Sequence, residues 1–148
     1  MSDYTTIIDS YKDKPGGIIE AYHALQKEYN YIPEDAITAA AEAFGMSPAQ
    51  AYGVATFYSY FKVGPRGRYI IRICESAPCH VAGAEEVVSA LESELGIKMG
   101  ETTADGKFTL EFTECVGQCQ ATPIITINSK PYEDMSAEKI PAVLAEYK

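Results

Sequence analysis

The only four cysteines of the chain fall in two close pairs, Cys74-Glu-Ser-Ala-Pro-Cys79 and Cys115-Val-Gly-Gln-Cys119. The first pair encloses four residues and the second three, and 35 residues, 80 to 114, lie between them. Two short-spaced thiol pairs far apart in sequence are what a chain needs to wrap one metal centre from two loops. Thiolate sulfur binds both ferrous and ferric iron strongly, and four thiolates complete the tetrahedral iron sites of a 2Fe–2S cluster. The residue types therefore point to Cys74, Cys79, Cys115 and Cys119 as an iron–sulfur ligand set. Structural zinc is the main competitor: it also takes four cysteines, usually from C-x2-C pairs, though wider spacing is known. A thioredoxin-type redox pair needs C-x-x-C, which is absent. Disulfides and plain buried thiols are the remaining readings, and a reducing cytosol disfavours the disulfides.

The pairs need elements to hold them. Tyr69, Ile71 and Ile73 alternate with Ile70, Arg72 and Cys74, which predicts a strand ending at the first cysteine. Val81, Ala84, Val88, Leu91 and Leu95 step by three and four, which predicts a helix stopped by Gly96. Phe108, Leu110 and Phe112 alternate with Thr109, Glu111 and Thr113 as a second strand after the Asp105-Gly106 turn signal. A third strand is expected over 123 to 128 and a short fourth over 130 to 132, across an Asn128-Ser129 turn. Ile140, Val143, Leu144 and Tyr147 line a last helix after Ser136. If the first two strands are neighbours, the cysteine loops converge. Cys79 is expected just before the helix, where free N–H groups and the helix dipole would favour its thiolate. Gly117 lets the second loop turn sharply, and Pro78 removes one N–H donor from the first.

The first half reads as helical. Ile18, Ile19, Tyr22, Leu25 and Tyr29 follow the Pro15-Gly16-Gly17 break at helical spacing. Pro33 opens a second helix, striped by Ile37, Ala40, Ala41 and Phe44 and stopped by Gly45. Ser47-Pro48-Ala49-Gln50 has capping-box form and starts a third helix running toward Phe61. Gly64-Pro65-Arg66-Gly67 breaks the pattern, so we expect a helical domain at 1–66 and an α/β domain at 67–148.

The net charge of −9, from 21 acidic against 12 basic residues, argues against nucleic acid and anionic membrane surfaces. Residues 43 to 61 carry no charge, but their glycines, serines, proline and tyrosines are too polar for a membrane span. The start, Met1-Ser-Asp-Tyr-Thr-Thr, shows no signal-peptide pattern, and the expected location is cytoplasmic. His23 and His80 form no catalytic constellation. His80 adjoins Cys79 and reads as a surface residue rather than a ligand. Tyr52, Phe57, Tyr58, Tyr60 and Phe61 read either as core packing or as a docking face.

Three motifs together carry a family resemblance. They are Cys74-x4-Cys79-x3-Gly83, Cys115-Val-Gly-Gln-Cys119 with Pro123 following, and Gly53-Val-Ala-Thr-Phe-Tyr-Ser-Tyr-Phe61. The chain resembles the thioredoxin-like 2Fe–2S ferredoxins, specifically the small iron–sulfur subunit of NADH:quinone oxidoreductase (complex I). The same subunit type occurs in NAD(P)-linked, often electron-bifurcating, hydrogenases and formate dehydrogenases. The resemblance implies an N-terminal helical bundle followed by a thioredoxin-like α/β domain. It implies one 2Fe–2S cluster on Cys74, Cys79, Cys115 and Cys119, and a one-electron carrier with no substrate site of its own. It also implies a partner subunit that holds FMN and binds NAD(P)H, with a larger iron–sulfur catalytic subunit beyond. No G-x-G-x-x-G fingerprint occurs in this chain, in keeping with flavin and nucleotide on the partner. Among parent complexes a soluble bifurcating or NAD-linked hydrogenase is preferred over complex I or formate dehydrogenase. A zinc-stabilised interaction module and a stand-alone ferredoxin are the other readings.

Overall fold

A computed structural model describes residues 3 to 147. Met1, Ser2 and Lys148, at the ends of the two expected domains, lie outside the described residues. The chain divides into two compact units, Met1–Pro65 and Arg66–Lys148.

Among the described residues the first unit contains four helices, α1 (Asp3–Asp9), α2 (Gly17–Tyr29), α3 (Glu34–Ala43) and α4 (Pro48–Phe57). Helix α2 buries Ile18, Ala21, Tyr22, Leu25 and Gln26; of the expected stripe, Ile19 and Tyr29 are only partly buried, at its edges. Pro33 is the N-cap of α3 rather than its first residue. That helix ends in a complete Schellman motif: the N–H of Gly45 donates to Glu42 O, and that of Met46 to Ala41 O. Gly45 takes the left-handed φ of +62° that this stop requires. The capping box at Ser47 and Gln50 forms in both directions.

Helix α4 stops four residues short of the expected Phe61. Tyr58 turns extended, and the Gln26 side chain takes over the backbone beyond it. The Gln26 amide donates to Tyr60 O at 2.9 Å and accepts from Lys62 N at 2.8 Å. A continued helix would give both groups helical partners and swing Phe61 out of the core. The stop instead places Phe61 edge-on to Tyr22, 6% exposed. Burying side chains of this size is worth roughly 1.5–3 kcal/mol each, more than a last helical turn adds.

Among the described residues the second unit is a four-stranded sheet with helices. Its elements are β1 (Tyr69–Cys74), α5 (Ala77–Val81), α6 (Ala84–Leu95), β2 (Phe108–Thr113), β3 (Ile125–Ile127), β4 (Lys130–Tyr132) and α7 (Ile140–Ala145). The strand order is β2-β1-β3-β4. Strands β1 and β2 pair in parallel, and β1–β3 and β3–β4 pair antiparallel. A parallel pair needs a crossover, which the helical segment between β1 and β2 supplies. The β3–β4 hairpin turns on Asn128 at φ +54°, whose side-chain oxygen also accepts from Ile70 N at 2.9 Å. Ile71, Ile73, Leu110, Ile125 and Ile127 pack with Val87 and Leu91 of α6 and with Ile140 and Leu144 of α7.

The expected helix from Val81 to Leu95 is two helices. Gly83, at φ +103°, breaks it, and Val81 at the end of α5 is 86% exposed. The buried stripe of α6 is Ala84, Val87 and Leu91, with Val88 at its edge. Strand β3 is shorter than the expected 123 to 128. Among the described residues no helix is long and apolar enough to cross a membrane.

Candidate metal centre

Parallel pairing of β1 with β2 sets the two cysteine loops side by side. Cys74 ends β1 and stands in register with Thr113, the last residue of β2. Two residues further on lies Cys115. The N–H of Glu75 donates to Thr113 O, and that of Cys74 to Ile124 O, at the approach to β3. The chain leaving the second loop is therefore stitched to the first. Cys119 opens a short 3-10 turn, Cys119–Ala121, which leads to Pro123 and β3.

All four thiols are free. Cys74 and Cys79 are buried, and Cys115 and Cys119 are exposed. The Sγ atoms of Cys115 and Cys119 are 4.0 Å apart. Two thiolates on one tetrahedral metal, with bonds of about 2.3 Å, stand roughly 3.8 Å apart, so this pair is spaced for one ion. Cys74, at the end of β1, and Cys79, on α5, both buried, form the second pair. Among the described residues no three His, Cys, Asp or Glu side chains converge as a cage for a single ion. Two cysteine pairs on neighbouring loops supply the four sulfurs that a two-iron centre takes, two to each iron.

The surroundings treat the thiols differently. Burial works to raise the Cys74 thiol. Hydrogen bonds from the Ser76 backbone, the Cys79 and Ser76 side chains and the Val116 backbone outweigh it and leave the thiol below its ordinary range. Cys79 goes the other way: burial and the neighbouring Cys74 push it up, against one bond from the Ile124 backbone. The expected favoured thiolate at Cys79 is thus corrected: although Cys79 lies in the first turn of α5, burial and the neighbouring Cys74 outweigh the helix start. Cys119 is also raised, chiefly by Cys115 beside it. Two thiols held this close favour one proton between them until a cation replaces it.

The second loop is shaped to approach sulfur. Gly117 has φ +79°, and its N–H points at Cys115 Sγ at 3.4 Å. No atom lies within 4 Å of where its Cβ would be, so the glycine serves conformation and leaves space on the loop. Four thiols in two pairs, N–H donors directed at sulfur and an open face together fit a 2Fe–2S cluster. His80 is exposed, as expected of a surface residue. The sequence did not single out Ser76, Val116 or Ile124. Their backbone roles depend on which strands are neighbours, and no residue type signals that.

Comparison with known proteins gives one family and a consistent set of relatives. The family model described as thioredoxin-like [2Fe-2S] ferredoxin matches residues 4–148. A subunit of the NADH-quinone oxidoreductase of Salmonella typhimurium (strain LT2) is 41% identical over 138 residues, covering 93% of this chain and 83% of that protein. The HndA subunit of the NADP-reducing hydrogenase of Solidesulfovibrio fructosivorans is 34% identical over 140 residues, covering 95% of this chain and 82% of that one. The crystal structure of an NAD+-reducing [NiFe]-hydrogenase in the air-oxidized state superposes with a TM-score of 0.74 at 26% identity. The match covers 85% of this chain but only 22% of that hydrogenase chain.

Proposed function

The chain belongs to the thioredoxin-like [2Fe-2S] ferredoxin family, and from that premise we propose that it is the iron–sulfur electron-transfer subunit of an NADH–quinone oxidoreductase or an NAD(P)-reducing hydrogenase. The observation that carries this is the convergence of two thiol pairs at one end of the parallel β1–β2 pair, with Cys74 in register with Thr113 and the Cys115 and Cys119 Sγ atoms 4.0 Å apart. In this reading Cys74 and Cys79 hold one iron and Cys115 and Cys119 the other, within the 67–148 domain. When bound, a 2Fe–2S cluster supplies one-electron chemistry at a potential set by charge, sulfur hydrogen bonds and exposure.

The chain's own residues do the rest. The backbone N–H of Gly117 stabilises negative charge on the Cys115 sulfur. Buried Cys74 and Cys79 anchor the centre on the sheet, while exposed Cys115 and Cys119 bring it to the surface, where an electron can cross a short gap. Flavin and NAD(P)H belong on a partner subunit, with a larger iron–sulfur catalytic subunit beyond. The aromatic segment of the 1–66 domain is a docking face for that flavoprotein: Phe57 is 79% exposed and Tyr52, Tyr58 and Tyr60 are exposed as well. Among parent complexes, a soluble bifurcating or NAD-linked hydrogenase in the cytoplasm is the preferred assignment. The hydrogenase relative and structural neighbour support it, and a reducing compartment suits four free thiols.

Iron, acid-labile sulfide and zinc measured on the purified chain and on four single Cys→Ala variants test the proposal. Equal iron and sulfide in the wild type, lost in each variant, is expected. Zinc in place of iron, with a colourless protein, would overturn it.

A further inference from the structure

We infer that the Gln118 side-chain amide is a hydrogen-bond donor to sulfur at the cysteine centre and favours the reduced state there. The inference rests on the reading of the four cysteines as cluster ligands. Gln118 lies inside the second pair, between Gly117 and Cys119. Its Oε1 is buried and has no hydrogen-bond partner, alone among the buried side-chain nitrogens and oxygens of the described residues.

Two features tie this orphan to the centre. The first is contrast. Buried polar groups are nearly always hydrogen-bonded, and leaving one unpaired costs stability. The chain obeys this elsewhere: the Gln26 amide makes two bonds, at 2.9 and 2.8 Å, and the buried Tyr22 hydroxyl makes one. A leucine at 118 would fill similar space without an orphaned oxygen.

The second is position. Gln118 caps the Cys119–Ala121 turn, and its carbonyl accepts from Ala121 N–H at 3.1 Å, so the root of the side chain is fixed beside Cys119. Neighbouring Cα atoms stand about 3.8 Å apart, which puts the amide within a side chain's length of the cysteine pair. Thiolates only accept, so an amide that meets them is satisfied through its N–H end. A half-turn about the soft, twofold χ3 of glutamine brings Nε2 and its two donors to the dry position of Oε1. Other donors are few: the Gly117 N–H is already directed at Cys115 Sγ, and Pro78 has none to give on the first loop.

The step is the uptake of one electron, from the partner's reduced flavin in the complex or from dithionite in a test. It turns one ferric ion ferrous and adds one negative charge to the centre. A hydrogen bond strengthens as its acceptor gains charge, and at a dry position water screens it little. The bond therefore holds the reduced form more tightly than the oxidised one, by roughly three- to tenfold in their ratio.

Redox titration of the full chain, read by electron paramagnetic resonance with iron content as control, tests this on Gln118→Leu and Gln118→Met. At fixed potential both variants are expected to lower the ratio of reduced to oxidised centre by that factor. A second readout is electron–nuclear double resonance on reduced chain labelled with heavy nitrogen in its glutamine amides. The wild type is expected to show a coupling from the label to the centre that Gln118→Leu lacks. An unchanged ratio at unchanged iron content overturns the inference and leaves the carrier reading intact. So does a lowered ratio without the coupling, which marks a change of packing alone. Should both variants lose iron, the coupling in the wild type decides. A wild-type chain without an iron–sulfur signal would instead overturn the carrier reading, and this inference with it.

Discussion

Individual residues carry the chemistry, and here the cysteines were plain in the sequence while their environments were not. Type and spacing singled out Cys74, Cys79, Cys115 and Cys119 as candidate ligands. The opposite fates of the Cys74 and Cys79 thiols were invisible, because they follow from backbone donors at the approach to β3 and on the second loop. Gly117 lies between these cases: a glycine inside a cysteine pair is readable, but its φ of +79° is not. That conformation costs an ordinary residue about 1–2 kcal/mol and suits a β-branched one worst. Gly117→Val is therefore expected to lower the iron content of the purified chain. Gly117→Asn, which tolerates the left-handed region and meets open space, should retain more. Full iron in the valine variant would remove the case for a required glycine. Each Cys→Ala variant should lose the centre. Loss in Cys115→Ala and Cys119→Ala with an otherwise intact fold is the sharper result, since those two thiols are exposed and contribute little packing.

At the scale of elements, periodicity located β1, β2, α2, α3 and α6, and local chemistry located the stops at Gly45 and Gly96. Tertiary events moved the rest. Gln26 cut α4 short by claiming the backbone of residues 60 and 62, a contact 34 residues and more away in sequence that no local pattern contains. Gly83 split the expected helix because α5 serves the cysteine loop and α6 the core. Tyr22 shows the energetics of the helical unit. Its hydroxyl is buried and donates to Ala51 O at 2.9 Å, and burial pushes its pKa from the ordinary 10 up to about 12. The folded state thus holds the proton more tightly than the unfolded one. The stability this confers is complete below pH 10 and is lost as pH rises toward about 12. Denaturation of wild type and Tyr22→Phe at pH 8 and pH 11 checks this. The variant should be about 1 kcal/mol less stable at pH 8, from the lost hydrogen bond, and should lose less on going to pH 11. An equal loss in both proteins would show that Tyr22 does not govern the alkaline limit. At the helix start, Ser47→Ala removes the capping box and should cost the same unit about 1 kcal/mol.

At the scale of the whole molecule, each unit has its own buried core, and only the second carries the cysteines. Binding free energy at a metal site is folding free energy for the structure around it. Removing the metal should therefore speed amide hydrogen exchange in 66–148 and leave α2 and α3 of the helical unit nearly unchanged; equal loosening of both would contradict a centre confined to the second unit. The exposed aromatics make the converse prediction. Phe57→Ala and Tyr60→Ala should weaken co-purification with a flavoprotein subunit without lowering iron content, and undiminished capture would return these residues to a packing role. The family resemblance was legible because three motifs spread over 53 to 123 agree. The parent complex was not, since its identity resides in partner surfaces. The most direct measurement is electron paramagnetic resonance of the anaerobically purified chain, oxidised and dithionite-reduced, with iron and zinc quantified on the same sample. The account predicts a silent oxidised state, an S = ½ signal on reduction and about two irons per chain. No signal, with about one zinc per chain, would contradict it.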